Sequence, residues 1–287
     1  MTKAAYIIQA SALDAFLWIF AALPPRMASR LGGEIMGTLG QFLTAQNRRI
    51  DKHLHLAFPD KTAAERKAIA KGMSQHLGMI VGEYPHLAKF LDGHPDFTIE
   101  SRGLDYLGQT KDRACAFVSA HVGNWEILPL MCARHGVPFH PIYRPPNNPL
   151  VARKLEDMRQ AGRLPKAFPK SREGLKNIAE TLKNGGRMGF LIDQRHSGGP
   201  EVLFFGHPAQ ITTIAMDLAI KYDAIVIPGR ILRRGPCDFL FEVCKPIPTK
   251  GRTSIELTTE LYSLFEQWIA EAPEQWLWTH RRWGKQI

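Results

Sequence analysis

From Phe97 to its end, the chain alternates short apolar runs with stretches of helical periodicity, and this alternation constrains the fold most strongly. The predicted strands are residues 114–120, 139–143, 188–192, 224–232 and 239–243, and the predicted helices between and after them are 124–134, 150–158, 175–182, 212–221 and 254–270. Strands that alternate with helices are typical of an α/β layer. The sequence therefore predicts an α/β fold with a mostly parallel sheet flanked by helices.

The region from residue 30 to residue 97 shows helical spacing throughout. Apolar residues recur at Leu31, Ile35 and Leu39, and the Thr62 to Glu65 segment has the pattern of a capping box that starts a further helix. No stretch between residues 30 and 287 has the composition of a flexible linker. We therefore expect a hydrophobic membrane anchor at residues 1–29 and a single domain at residues 30–287.

The N-terminal segment, residues 4–23, is apolar and about long enough to span a bilayer, although Gln9 and Asp14 interrupt it. The only basic residue before it is Lys3, and no cleavage site follows, which argues against a signal peptide. A transmembrane anchor, an amphipathic helix in the membrane interface and an ordinary buried helix all fit this composition. Length, flanking arginines and charge favour membrane contact, and the mode of contact stays open.

The formal net charge of +10 favours anionic partners, which include phospholipid headgroups, phosphorylated substrates, acidic proteins and nucleic acid. No recognised nucleic-acid-binding motif accompanies the charge. A dense basic run comprises Arg153, Lys154, Arg159, Arg163, Lys166, Lys170 and Arg172. This run is expected to meet an acidic protein, substrate phosphates or anionic lipid, or to be a solvated helix face. The four cysteines form no CxxC pair, which indicates reduced thiols in a cytosolic compartment.

Polar side chains follow several of the predicted strands. The first strand ends at His121, the second is followed by Arg144, and the third is followed by Asp193 and Arg195. Ligands of open α/β sheets bind at the carboxyl ends of the strands, so these residues define one candidate crevice.

His121 and Glu126 are five residues apart, and Gly123 and Asn124 break the chain between them. The turn lets the two side chains meet, and a carboxylate that fixes the imidazole tautomer would make His121 a general base. The developing oxyanion would be held by an arginine or by backbone amides near Gly123 and Asn124. In the alternative interpretation, Asn124 only caps a helix and His121 only faces solvent.

Other chemistries lack their motifs in this sequence. No GxSxG elbow, Walker A loop or GxGxxG fingerprint is present. The spacing of His53, His55, His76, His86 and His94 matches no usual metal-ligand set, so neither a metal nor another cofactor is expected. A base without a covalent nucleophile favours direct group transfer to a hydroxyl.

Five segments resemble a known family. The stretch His121 to Glu126, HVGNWE, looks like the HxxxxD/E motif of the lysophospholipid-acyltransferase superfamily, in the form found in bacterial lipid A biosynthesis (late, secondary, lauroyl/myristoyl-type) acyltransferases. The other matching segments are YRPPNNP at 143–149, DQ at 193–194, VLFFGHPA at 202–209 and WLWTHRRW at 276–283. Arg195 departs from the pattern, since many relatives carry an acid or a small residue there.

The resemblance implies a glycerolipid-acyltransferase-like fold and no metal. It implies transfer of a fatty acyl group from acyl carrier protein to a hydroxyl of a 3-hydroxyacyl chain on a Kdo-bearing lipid A precursor. The enzyme would lie at the cell inner membrane, with its catalytic domain on the cytoplasmic side. By position, His121 and Glu126 would form the catalytic dyad, with Arg144 and Asp193 as support and Asn124 and Arg195 beside them. The alternatives are acyl transfer to another lipid hydroxyl, of a lysophospholipid or glycolipid, and a non-catalytic basic membrane-binding protein.

Overall fold

The computed structural model describes residues 3–161 and 163–284. The helices are α1 Lys3–Ala22, α2 Pro25–Leu39, α3 Thr44–Ala57, α4 Ala63–Glu83, α5 Leu87–Leu91, α6 Leu104–Gly108, α7 Leu128–Arg134, α8 Pro149–Ala161, α9 Arg172–Lys183, α10 Ile214–Lys221 and α11 Ser254–Glu271. The strands are β1 Thr98–Arg102, β2 Cys115–Ser119, β3 His140–Tyr143, β4 Phe168–Pro169, β5 Arg187–Leu191, β6 Glu201–Phe204, β7 His207–Gln210, β8 Ile225–Gly235 and β9 Asp238–Val243.

A central sheet has the strand order β1-β9-β8-β2-β5-β3-β4. Strands β8 and β9 pair antiparallel, and the other neighbours in this sheet pair parallel. Strand β2 is buried along its whole length, and its alternate residues enter two hydrophobic clusters: Ala116 and Val118 join one, and Cys115 and Phe117 join the other. The predicted mostly parallel sheet with helices around it is confirmed.

The predicted strands and helices correspond closely to the observed ones, with several differences. Strands β1 and β4 and the short helix α6 were not predicted, and neither was the two-stranded hairpin formed by β6 and β7. The helix predicted from residue 124 begins instead as a 3₁₀ turn, Trp125–Ile127, before α7. The predicted capping box is present, since the Thr62 hydroxyl accepts from the Glu65 amide and the Glu65 carboxylate accepts from the Thr62 amide.

The N-terminal helix α1 is mostly exposed, and among the described residues it alone is long and apolar enough to cross a membrane. It contacts α8: the Asn148 side chain donates to the Tyr6 carbonyl and to the Gln9 side chain, and Lys154 pairs with Asp14. The predicted division at residues 29 and 30 falls inside α2, and residues 1–2 and 285–287 of the predicted segments lie outside the described residues. The division itself stays a prediction.

Candidate active site

The parallel pairing of β2 and β5 brings His121 and Asp193 together. Ser119 and Leu191 are register partners at the carboxyl ends of these strands. His121 and Asp193 each lie two residues beyond these partners, so both side chains leave the sheet on the same side and at the same height. The edge at which α/β sheets bind their ligands therefore carries this pair.

Asp193 is buried and accepts three hydrogen bonds. Its Oδ1 accepts from His121 Nδ1 at 2.7 Å, and its Oδ2 accepts from the His121 amide at 3.0 Å and from the indole Nε1 of Trp276 at 2.8 Å. Burial alone would raise the pKa of Asp193, but the adjacent His121 and these hydrogen bonds outweigh it and lower the pKa to about 2. Asp193 is therefore a carboxylate at neutral pH, and in the neutral form of the His121 ring it fixes the proton on Nδ1.

The second ring nitrogen of His121 is not bonded to Asp193. Its Nε2 lies 3.3 Å from the Gln194 side-chain amide, the Trp125 ring packs edge-on against the imidazole, and the side chain is 15% exposed. With Nδ1 protonated and bound to Asp193, Nε2 carries the lone pair, which accepts from the Gln194 amide. A bound hydroxyl that takes the place of this amide meets Nε2 as a proton acceptor.

Glu126 does not contact the ring nitrogen that we expected it to orient. That nitrogen is bound to Asp193, which follows the neighbouring strand, whereas Glu126 lies in the 3₁₀ turn and pairs with Arg159 Nη2 at 3.3 Å. Arg159 also donates to the Tyr84 hydroxyl, and its guanidinium lies over the Tyr143 ring. The tautomer-fixing role predicted for Glu126 is thus occupied by Asp193, while a catalytic role for Glu126 stays a prediction.

The two other predicted arginines differ in their surroundings. Arg144 directly follows β3, and its side chain is exposed; within the described residues it makes no ion pair with Asp193 or Glu126. Arg195 is half-buried, and its Nε and Nη2 both donate to the Gln210 side-chain oxygen on β7. Arg195 therefore joins the hairpin to the segment that carries Asp193.

The turn between His121 and Glu126 is held by buried polar contacts. The Asn124 side chain is buried and donates to Glu83 at 2.7 Å, so it does not cap the following helical turn. The Gly123 amide donates to the Gln275 carbonyl at 3.0 Å. This amide is already bonded, which removes one of the backbone donors expected for an oxyanion.

Several residues that shape the site were not predicted to do so. Trp276 had been noted only as part of the aromatic ending, Arg159 only as part of the basic run, and Glu83 and Arg233 not at all. A glutamate in an otherwise apolar stretch of α4 was the one available signal, since a buried carboxylate requires a partner. In the part of the chain that the structure describes, no three His, Cys, Asp or Glu residues group as a metal site.

The fold and the site together define an α/β protein with a His–Asp pair at the carboxyl edge of its parallel sheet. A family model of bacterial lipid A biosynthesis acyltransferases matches residues 2–285. The chain belongs to this acyltransferase family, which acts in lipid A biosynthesis, and the resemblance drawn from its motifs is confirmed.

Individual relatives are similar over most of their length. The chain is 26% identical to the lipid A biosynthesis palmitoleoyltransferase of Escherichia coli K12 over 280 residues, which cover 93% of this chain and 88% of the relative. It is also 26% identical to the lipid A biosynthesis lauroyltransferase of the same organism over 282 residues, with the same coverage. The solved 1-acyl-sn-glycerophosphate acyltransferase of Thermotoga maritima aligns with 16% identity, a TM-score of 0.41 and coverage of 85% of this chain and 97% of that one. At that score the likeness supports no conclusion about fold or function.

Proposed function

We propose that this protein transfers a fatty acyl group from acyl carrier protein to a hydroxyl of a 3-hydroxyacyl chain on a Kdo-bearing lipid A precursor. Membership of the lipid A acyltransferase family supports the acceptor class. The observation that carries the mechanism is the hydrogen bond from His121 Nδ1 to Asp193, which leaves Nε2 as the base.

The reaction needs no acyl-enzyme. His121 Nε2 takes the proton of the acceptor hydroxyl as its oxygen attacks the thioester carbonyl, and Asp193 stabilises the imidazolium that forms. The tetrahedral intermediate then collapses, the C–S bond breaks, and the imidazolium returns its proton to the leaving thiolate. One ester bond forms, one thioester bond breaks, and His121 regains its starting state.

An arginine side chain is a better candidate for stabilising the developing oxyanion than the backbone amides of the turn. The Gly123 amide is bonded to the Gln275 carbonyl, whereas Arg159 lies beside Glu126 and Tyr143 at the same edge of the sheet. In this proposal Glu126 orients Arg159, and Arg159 supplies the positive charge for the oxyanion. Glu126 is then required for catalysis through Arg159.

The basic run offers a docking surface for acyl carrier protein, an acidic donor. Lys154, Arg159 and Arg163 are paired with Asp14, Glu126 and Asp92. The exposed members of the run are Arg153, Arg163, Lys166, Lys170 and Arg172. Arg159 and Lys166 both line a cavity of about 230 Å³, and Arg159 also pairs with Glu126. Exposed positive charge steers an acidic partner in a salt-dependent way.

The inner membrane, with the site on its cytoplasmic side, is the location that fits this proposal. Exposed apolar side chains line α1 and α2, among them Trp18, Ile19, Met27 and Leu31. The acceptor is a membrane lipid and the donor is cytosolic. Contact of the N-terminal helices with the membrane would bring the site to both substrates.

Membranes that contain the protein would receive acyl carrier protein loaded with labelled fatty acid and a lipid A precursor. Labelled lipid A is the expected product, and His121→Ala and Glu126→Ala should each lower its rate by at least about 100-fold. Glu201→Ala, at an exposed carboxylate on β6, serves as the matched control. Unchanged activity in His121→Ala would contradict the mechanism. Label found only in phospholipid or glycolipid would show that the acceptor is that lipid and not a lipid A precursor.

A further inference from the structure

We propose that Glu83, His76 and Arg233 form a positioning cluster that holds the turn between His121 and Glu126 in its active geometry, an inference that rests on the proposed function. None of the three belongs to the motifs of the sequence. They come from α4 and β8, and all three side chains are buried.

Glu83 is the centre of the cluster and is 2% exposed. Arg233 donates to its carboxylate through both Nη1 and Nη2, the second at 2.7 Å. Ser29 donates to Oε1 at 2.7 Å and Asn124 donates to Oε2 at 2.7 Å. A carboxylate bound bidentately by arginine holds its remaining partners in a fixed direction. Through this carboxylate, Arg233 determines where the Asn124 side chain lies.

His76 holds the neighbouring residue of the turn. Its Nε2 lies 3.0 Å from the Gly123 carbonyl, and its Nδ1 lies 3.2 Å from Arg233 Nε. Because the carbonyl only accepts and the guanidinium only donates, the imidazole is neutral with its proton on Nε2. Burial and the charge of Arg233 lower the pKa of His76 to about 3, which agrees with a neutral ring.

The backbone of the turn leaves little room for adjustment. Gly123 has a φ of 62°, and a Cβ there would lie 1.5 Å from the Ile231 carbonyl oxygen. The Gln275 carbonyl accepts from the Gly123 amide, and the Gln275 side chain bonds to both the amide and the carbonyl of Arg233. The Gly123 amide, the Gly123 carbonyl and the Asn124 side chain are therefore each held by a hydrogen bond.

A contribution to stability alone does not explain why the buried Glu83 and Arg233 side chains are charged. A buried ion pair is often no more stabilising than apolar residues of similar volume, because both ions lose their hydration. Here Glu83 Oε2, which accepts from both Arg233 and Asn124, and His76 Nε2, which donates to the Gly123 carbonyl, bind the turn. His121 precedes that turn and Glu126 follows it, so a shift of the turn would move both relative to Asp193 and Arg159. A misplacement of about 1 Å at an active site lowers the rate by roughly 100-fold.

The test replaces the ion pair by an apolar pair, in Glu83→Met/Arg233→Met, which removes both charges together and preserves the folded state better than either single change. The matched control is Arg230→Met/Glu242→Met. Arg230 lies on the same strand, is 4% exposed, and binds Glu242 at 2.8 Å and Glu271 at 2.5 Å; within the described residues none of these three side chains bonds to the turn. Expected results are a kcat about 100-fold lower in the first variant, an unchanged KM for the acyl donor, and wild-type kinetics in the control.

A second pair of variants tests the cluster if the apolar pair does not fold. His76→Gln keeps an amide donor for the Gly123 carbonyl, whereas His76→Leu keeps only the volume. Rescue is expected: the glutamine variant should retain at least about tenfold more kcat than the leucine variant. A further readout needs no enzyme activity, since the ¹⁵N ring signals of His121 should shift or broaden in His76→Leu and Glu83→Met/Arg233→Met.

The outcomes separate this inference from the proposed function. An inactive wild-type protein would refute the function, and the His121 ring signals would still test the cluster. Wild-type kcat and unchanged His121 signals in a folded Glu83→Met/Arg233→Met protein, or equal activity of His76→Gln and His76→Leu, would overturn the cluster.

Discussion

At the scale of single residues, Asp193 orients the His121 ring. Its carboxylate accepts hydrogen bonds from three donors: the His121 ring, the His121 amide and the Trp276 indole. The sequence placed His121 and Asp193 at strand ends but paired His121 with the nearer acid, Glu126. Long-range packing determines which strands are neighbours and in which register they pair. The spacing of residues along the chain does not predict either. The contact between His121 and Asp193 follows only once β2 and β5 are known to pair at Ser119 and Leu191.

Replacing Asp193 by asparagine should lower kcat by roughly 10³- to 10⁴-fold. The amide keeps the shape of the side chain, but it removes the charge that stabilises the imidazolium. It also sets an NH₂ group against donors, either the His121 amide and the Trp276 indole or the His121 ring. Single-turnover transfer from loaded acyl carrier protein measures the effect.

The control for this change is Asp217→Asn on α10, whose carboxylate accepts from the exposed Thr213 hydroxyl and lies outside the site. It should keep the wild-type rate. Full activity in Asp193→Asn, together with loss of activity in Glu126→Gln, would contradict this prediction. It would indicate that Glu126, and not Asp193, is the carboxylate that His121 needs for catalysis.

At the scale of elements, α2 and α4 approach each other through glycines. A Cβ at Gly78 would lie 2.1 Å from the Gly32 carbonyl oxygen, and a Cβ at Gly82 would lie 2.4 Å from the Ala28 carbonyl oxygen. Because α4 also carries Glu83 and His76, this close packing links the N-terminal helices to the turn beside His121.

Gly78→Ala should lower the free energy of unfolding by about 1–3 kcal/mol, because the two helix backbones must separate to admit the methyl group. Urea denaturation followed by circular dichroism measures it. Gly108→Ala is the matched control, since Gly108 is also helical and a Cβ there meets nothing within 4 Å. A Gly78→Ala protein as stable as Gly108→Ala would contradict the close packing.

The exposed apolar face of α1 carries the second prediction at this scale. Trp18 is 77% exposed and Ile19 is 50% exposed. Burial of a large apolar side chain in a membrane is worth about 1.5–3 kcal/mol. Trp18→Ser/Ile19→Ser should therefore weaken binding to anionic vesicles by at least about tenfold in a co-sedimentation assay. Leu175→Ser/Ile255→Ser, at exposed apolar positions of α9 and α11, should bind like the wild type, and equal binding by all three would exclude α1 as the contact.

The contacts of α1 also bear on how it meets the membrane. Asn148, the residue before α8, binds the Tyr6 carbonyl, and Lys154 of α8 pairs with Asp14; α8 carries several charged residues. Charged side chains are costly in the hydrocarbon core, so a helix lying along the interface fits these contacts better than one that spans the bilayer.

Most of the fold was accessible from sequence because the signals were local. The runs around β2 and β5 are continuous and apolar, as expected for strands buried on both faces. Strand β1 was missed because its residues, TIESR, alternate at an exposed sheet edge and lack an apolar run. The β6–β7 hairpin was missed because its turn, Phe205 and Gly206, lies inside a stretch noted only as a motif.

At the scale of the whole molecule, buried histidines make folding sensitive to acid. His76 is 4% exposed, and its native pKa is lowered to about 3, against about 6.5 in an unfolded chain. Between these values the unfolded state binds a proton at this residue that the native state does not. Stability must therefore fall as the pH drops from about 6.5 toward 3. The pKa values of His53, His86 and His280 are also lowered, mainly by burial, and act in the same direction.

The contribution of His76 alone should be about 2 kcal/mol between pH 6.5 and pH 5, at about 1.4 kcal/mol for each pH unit. Urea denaturation at pH 7 and pH 5 measures it, and His76→Gln, which cannot take up the proton, should lose about 2 kcal/mol less than the wild type between the two. His55→Gln, at an exposed position of α3, is the matched control and should follow the wild-type curve. If His76→Gln and the wild type lose the same free energy on acidification, the native His76 imidazole takes up its proton over the same pH range as in the unfolded chain. The contacts with Arg233 and the Gly123 carbonyl would then not hold the ring neutral at pH 5, which contradicts the proposed link between Arg233 and Gly123.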